Sequence, residues 1–215
     1  IMVSVQLVLA LVLRWKGAGA LNIAYLEGGL SWQGIVSGRV WQLFTHICLH
    51  GNWIHLAVNA LLFYYGAARL SHIFSNQRIC CLFFVCGLGS GLSHIVVQAF
   101  VPGIPPLVGA SGGVTGLLLG FFSISPDSKM IILNISARNL SRGVLVSSAL
   151  LFLMTPWLGI PLFADLGRWL ESAVGNFIFQ TAHLVHFVGG ILGWVLIGRF
   201  LPRLLSSDDL ARMRT

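Results

Sequence analysis

Gly109-Ala110-Ser111-Gly112-Gly113-Val114-Thr115-Gly116-Leu117-Leu118-Leu119-Gly120 decides how this chain folds. Pro105 and Pro106 precede the stretch and Gly109 opens it, so a helix is expected to begin at Ser111. Gly112, Gly116 and Gly120 recur every four residues and therefore share one helix face. Small residues at that spacing let helix backbones meet closely inside a membrane. The first turn of a helix also offers unpaired backbone N–H groups and the positive end of the helix dipole. A serine there can be a packing residue, or it can sit where an oxyanion is stabilised.

Composition places this helix in a membrane. The 215 residues are 56% hydrophobic and 9% charged, against about 25% charged in soluble domains. The net charge of +7 is scattered between apolar blocks and forms no stripe, which excludes a nucleic-acid surface. Cys48, Cys80, Cys81 and Cys86 lie in apolar runs without metal-ligand spacing and read as buried thiols. The start of the chain has no charged n-region and no cleavage motif, unlike a signal peptide.

A spanning helix needs about 20 mostly apolar residues. Six candidates follow: 1–13, 53–70, 79–100, 107–124, 144–158 and 177–201. The fold class expected is an all-α membrane protein, a single six-span bundle over 1–215. Ile1 is already apolar, so the first span is expected to be cut short. With six spans, Arg69, Arg78, Lys129, Arg138, Arg142 and Arg199 fall on one side. Arg203, Arg212 and Arg214 join them there. Arg14, Lys16, Arg39 and Arg168 fall on the other. The positive-inside rule then puts both termini in the cytoplasm, with 203–215 as a cytoplasmic tail. The expected location is a cell membrane, the bacterial inner membrane. The first loop, roughly Arg14 to Thr45, is expected outside, with Trp15, Trp32 and Trp41 at the interface.

Polar groups inside a bilayer call for a reason. His186 lies on one helix face with Gly189, Gly190 and Gly193. A histidine above a glycine stripe can meet a neighbouring helix closely, and imidazole suits proton transfer near neutrality. The plainer reading is a structural histidine bonded to a carbonyl; His183, one turn earlier, is the competing candidate, a structural role for the pair stays open, and His186 is preferred because its glycine stripe is the better aligned. His55 and Asn59 share a helix face. Asn59 and His50 are read as oxyanion donors, His55 as a tie between loop and bundle. His46, His72 and His94 are read as structural. His46 and His50 also have the spacing of a metal pair, but the spans hold no carboxylate and no H-E-x-x-H, so no metal and no cofactor is expected. All six acids, Glu27, Asp127, Asp165, Glu171, Asp208 and Asp209, fall in loops or tail. A Ser111–His186 dyad without a third acid is the expected machine.

These clusters, in this order, resemble the rhomboid family of intramembrane serine proteases. The family pattern is similar to W-R-x-x-T-x-x-x-x-H, then H-x-x-x-N, then G-x-S-G, then H-x-x-G-x-x-x-G. Here it reads Trp41, Thr45 and His50; His55 and Asn59; Gly109-Ala110-Ser111-Gly112; and His186, Gly189 and Gly193. The resemblance implies a six-helix fold and a dyad open to the extracytoplasmic side. It implies oxyanion donors at His50, Asn59 and the Ser111 amide, with Gly109 and Gly112 beside the substrate. It also implies single-span membrane proteins as substrates. Gln42 stands in place of the family arginine, and Thr115 where many members stack a tyrosine on the base. The first departure bears on the ordering of the first loop, the second on the mobility of His186. The rival from another class is a weak or inert relative that binds membrane clients, against which the presence of both Ser111 and His186 argues. A proton-relaying transporter would need carboxylates in the spans.

Overall fold

The computed structural model describes residues 1–101, 103–129, 134–175, 178–179 and 182–200. The elements there are helical: α1 (Met2–Gly28), α2 (Trp32–Val36), α3 (Gln42–Cys48), α4 (Trp53–Leu70), α5 (Asn76–Phe100), α6 (Ser111–Ile124), α7 (Ala137–Leu153), a 3-10 turn (Pro156–Leu158), α8 (Phe163–Val174) and α9 (His183–Phe200). The expected helix 53–70 coincides with α4. Helix α6 starts at Ser111 rather than at 107, because Leu107 is drawn into a two-way backbone pair with Leu30 (2.9 and 2.8 Å). Helix α7 starts seven residues earlier than expected, where Ser136 caps Asn139 N–H, and it ends at Leu153 before Pro156. The expected tail 203–215, and the expected span ends Phe177 and Leu201, lie outside the described residues.

The largest difference is at the start. The helix does not stop at residue 13 but runs to Gly28, interrupted at Gly17 by a left-handed φ of 78°. What remains of the first loop, residues 29–52, carries the short helices α2 and α3. By length and composition α1 and α5 are able to cross a membrane; α6 and the 183–197 stretch of α9 are apolar but shorter.

The last carbonyls of a helix have no partner within it. At the end of α1 each is met from outside. Gly29 N–H bonds to Tyr25 O (2.8 Å), and the Gln42 amide to Leu26 O (2.8 Å). The Trp41 indole bonds to Glu27 O (2.9 Å), and the Thr45 hydroxyl to Gly28 O (2.6 Å). Gln42, wholly buried, also accepts from Ser31 N–H through its amide oxygen (3.2 Å). A methyl group on Gly34 would overlap that amide, so the glycine makes room for it. The first loop is thus ordered by Gln42 where the family pattern has arginine.

The core lies around α6, which touches α4, α5, α7 and α9. Val114 and Leu117 of α6 are buried with Ile47, Leu70, Phe83, Cys86 and Ile197. Between spanning helices the hydrophobic effect gives little drive, so close van der Waals packing must hold them. The glycines supply it. Methyl groups on Gly189 and Gly193 of α9 would overlap the carbonyl oxygens of Gly112 and Gly116. One on Gly116 would fall 2.5 Å from Cys86 Cβ of α5. The contacts advance in the same direction on both helices, from 112 with 189 to 116 with 193, so α6 and α9 run parallel.

Candidate active site

Because α6 and α9 are parallel and meet at Gly112 and Gly189, the residues just before that contact share one end of the bundle. Ser111 precedes Gly112, and His186 stands one turn before Gly189. Both are half-buried. Among the described residues no hydrogen bond joins their side chains.

The segment that delivers Ser111 is braced on several sides. The Leu30–Leu107 pair holds it to the first loop. The Gln98 amide donates to Ile104 O (3.0 Å) and Pro105 O (2.9 Å) and accepts from Trp32 N–H (2.7 Å). His94 Nε2 lies 3.2 Å from Pro105 O, and Gly109 N–H donates to His46 O (2.9 Å). Gly109 holds φ at +123°, a conformation that side chains rarely allow. Ser111 is then the first residue of α6, followed by free amide donors of the first turn. Gly112 faces Ser90 Oγ and Val185, leaving no room for a side chain.

Facing Gly109 is the ring of His55. A methyl group on Gly109 would fall 2.8 Å from His55 Cε1 and 2.9 Å from Nε2, and the three atoms nearest that point all belong to His55. Asn59, one turn on in α4, is buried and donates to His55 O (3.0 Å). His50 stands further back. Its ring meets His55 edge-on with centroids 5.1 Å apart, and no part of it is exposed. Its ring nitrogens reach no hydrogen-bond partner, although the Cys48 backbone lies near enough to favour the charged form slightly. Burial, followed by the charge of His55, lowers His50 from its ordinary 6.5 to about 4. The sequence expectation favoured His50 over His55 as a donor; the ring that the structure sets against Gly109 is that of His55. Both lie near the start of α4, and only the fold tells which ring turns toward Gly109.

His183 Nε2 lies 2.6 Å from Ile178 O, and its ring stands 6.3 Å from that of His186. Thr115 donates to Ser111 O (2.7 Å), and its methyl lies 3.4 Å from the point where a Gly190 side chain would begin. It therefore packs in the seam between α6 and α9.

A serine at a helix start and a histidine before a shared glycine contact define a helical membrane protein with a candidate hydrolytic site. The sequence matches the Rhomboid domain over residues 37–203. It is 30% identical over 175 residues to RHOMBOID-like protein 4 of Arabidopsis thaliana, covering 80% of this chain and 38% of that protein. It is 31% identical over 173 residues to RHOMBOID-like protein 7 of the same plant, covering 79% of this chain and 47% of that protein. RHOMBOID-like protein 5 matches at 34% over 91 residues, 42% of this chain and 29% of its own length. The chain belongs to the rhomboid family. It spans less than half the length of these relatives.

Proposed function

We propose that this protein is an intramembrane serine endopeptidase that crosses the bilayer six times and cuts the spanning helices of other membrane proteins. The observation that carries the reading is the parallel glycine contact of α6 with α9, which brings Ser111 and His186 to the same end of the bundle. Ser111 Oγ attacks a peptide carbonyl while its proton passes to His186. The tetrahedral oxyanion collapses and expels the amine, which takes that proton. Water then attacks the acyl-enzyme with His186 as base, releasing the carboxylic product and restoring the serine. Hydrogen bonds between nucleophile and base are commonly long before substrate binds and tighten in the complex.

The oxyanion needs donors. The amides of Ser111 and Gly112 supply two, since the first turn has no carbonyls for them. We place side-chain donors at Asn59 and His55, the latter because its ring faces Gly109. His50, enclosed behind it, takes part through His55. Helix α6 has 14 residues, about 21 Å at 1.5 Å per residue, against a hydrocarbon core of about 30 Å. Ser111 therefore sits below the bilayer surface, and the polar groups around it form a water-filled recess. The charge pattern puts that recess on the extracytoplasmic side, with both termini in the cytoplasm.

The test is labelling of purified protein with a serine-reactive fluorophosphonate, with the adduct mapped by mass spectrometry. Ser111→Ala is expected to lose labelling and all proteolysis while keeping its thermal transition. Labelling undiminished in that variant refutes the assignment.

A further inference from the structure

Helix α8 falls in the connection between α7 and α9, where the sequence reading placed only a loop. Its twelve residues divide into three faces. Ala164 and Gly167 are buried. They press on the end of α7, where a methyl on Gly167 would overlap Met154 O. Asp165, Arg168 and Ser172 form an exposed polar face, and Arg168 is ion-paired to Asp165. Leu166 and Trp169 form a third face, 43% and 66% exposed. Leu162, just ahead, is 67% exposed and held at a left-handed φ of 66°. Such a conformation is costly for a branched side chain. Trp157, in the turn between α7 and α8, is 42% exposed as well.

We propose that α8 is an interfacial helix that lies along the outer surface of the bilayer. Leu162, Leu166 and Trp169 enter the boundary between headgroups and acyl chains, and Asp165, Arg168 and Ser172 face water. The occupant of the apolar face is lipid because of where α8 is held. It packs on the end of α7 through Gly167 and Met154 O, and α7 itself exposes the apolar Val146 and Leu150, so α8 is held where a helix with lipid-suited side chains ends. Tryptophans favour that depth. A helix with one apolar face, one polar face and low overall hydrophobicity lies in the interface rather than across it. The polar face carries a closed ion pair, with no excess of cations. Lipid is thus held through apolar side chains and not through anionic headgroups.

The inference rests on the membrane reading above, and the test separates the two. Nitroxides are attached at Trp169→Cys, Arg168→Cys and Leu92→Cys, each in a background with the exposed Cys80 and Cys81 changed to serine. Leu92 is 52% exposed in the middle of α5. The full chain is reconstituted in phosphatidylcholine vesicles, with and without phosphatidylglycerol. Accessibility to oxygen is compared with accessibility to a water-soluble nickel chelate. The expected result is a high oxygen-to-chelate ratio at 92, a ratio at 169 several-fold above that at 168, and no change with phosphatidylglycerol. Equal, chelate-dominated values at 169 and 168 with a buried 92 overturn the interfacial helix alone. A chelate-accessible 92 overturns the membrane reading itself. Protection of 169 that vanishes as protein is diluted in lipid identifies a second copy as the occupant and also overturns the proposal.

Discussion

At the scale of single residues, two histidines three positions apart have different surroundings. His183 Nε2 is engaged with Ile178 O, whereas His186 precedes the seam shared with α6. His186→Ala is expected to abolish turnover and His183→Ala to leave clear activity, measured as initial cleavage rates of a reconstituted substrate. The opposite outcome would identify His183 as the base. His55→Ala is expected to slow turnover by about 10²–10³, the usual loss for one oxyanion donor. His50 gives a prediction about stability. Held neutral in the fold, it is lowered to about 4, chiefly by burial, while in the unfolded chain it titrates near 6.5. A depressed value means that its contribution is complete above pH 6.5 and is lost as pH falls toward 4. The thermal transition in detergent should be level above pH 6.5 and fall below it, and His50→Phe should flatten part of that acid limb. The flattening is partial because His46, also buried, is lowered to about 4 as well. The sequence could point to Ser111, His186 and Asn59 because each sits on a helical period or at a helix start. Its preference for His50 over His55 had no physical basis in the sequence, since both lie near the start of α4 and only the third dimension turns one ring toward Gly109.

At the scale of elements, α4 was legible to the residue because Asn52 caps it and an apolar run fills it. The extension of α1 to Gly28 was not, because Arg14, Lys16 and Gly17 interrupt the apolar pattern there. What completes α1 is remote in sequence: its last carbonyls are met by Trp41, Gln42 and Thr45. Gln42→Leu should remove the donor from Leu26 O and leave the buried Ser31 N–H without its acceptor, costing about 1–3 kcal/mol. A lowered thermal transition in detergent, with the ordering of α2 and α3 lost first to protease, is the expected result. The seam of α6 and α9 is more sensitive still. Gly189→Ala should cost about 1–3 kcal/mol or more by overpacking, because the added carbon overlaps Gly112 O. Gly143→Ala in α7 is the control: nothing lies within 4 Å of its added carbon, and the better helix propensity of alanine should leave stability unchanged or raised by about 1 kcal/mol.

For the whole molecule, the proposed activity would place the cut at the end of α6 that carries Ser111. A spanning helix must unwind before its carbonyl can be attacked, and each backbone group freed in lipid costs several kcal/mol. Substrates with glycine, proline or small polar residues near the extracytoplasmic end of their helix should therefore be cleaved, with a small residue such as alanine beside the cut. Mass-spectrometric mapping over a panel of single-span substrates checks this. Equal cleavage after those residues are replaced by leucine, or cuts grouped at the cytoplasmic end, would contradict it. The seam built from Gly112, Gly116, Gly189 and Gly193 bears on how such a substrate gets in. Glycine has no rotamers to lose or to exchange, so backbone meets backbone there and no side-chain rearrangement can loosen the joint. Helices α6 and α9, with α5 against them at Gly116, form a stiff wall that keeps Ser111 and His186 in fixed relation. Under the proposed activity, a substrate is expected to enter where ordinary side chains can repack, as they can at α4 or at the α7–α8 corner, and not through this seam.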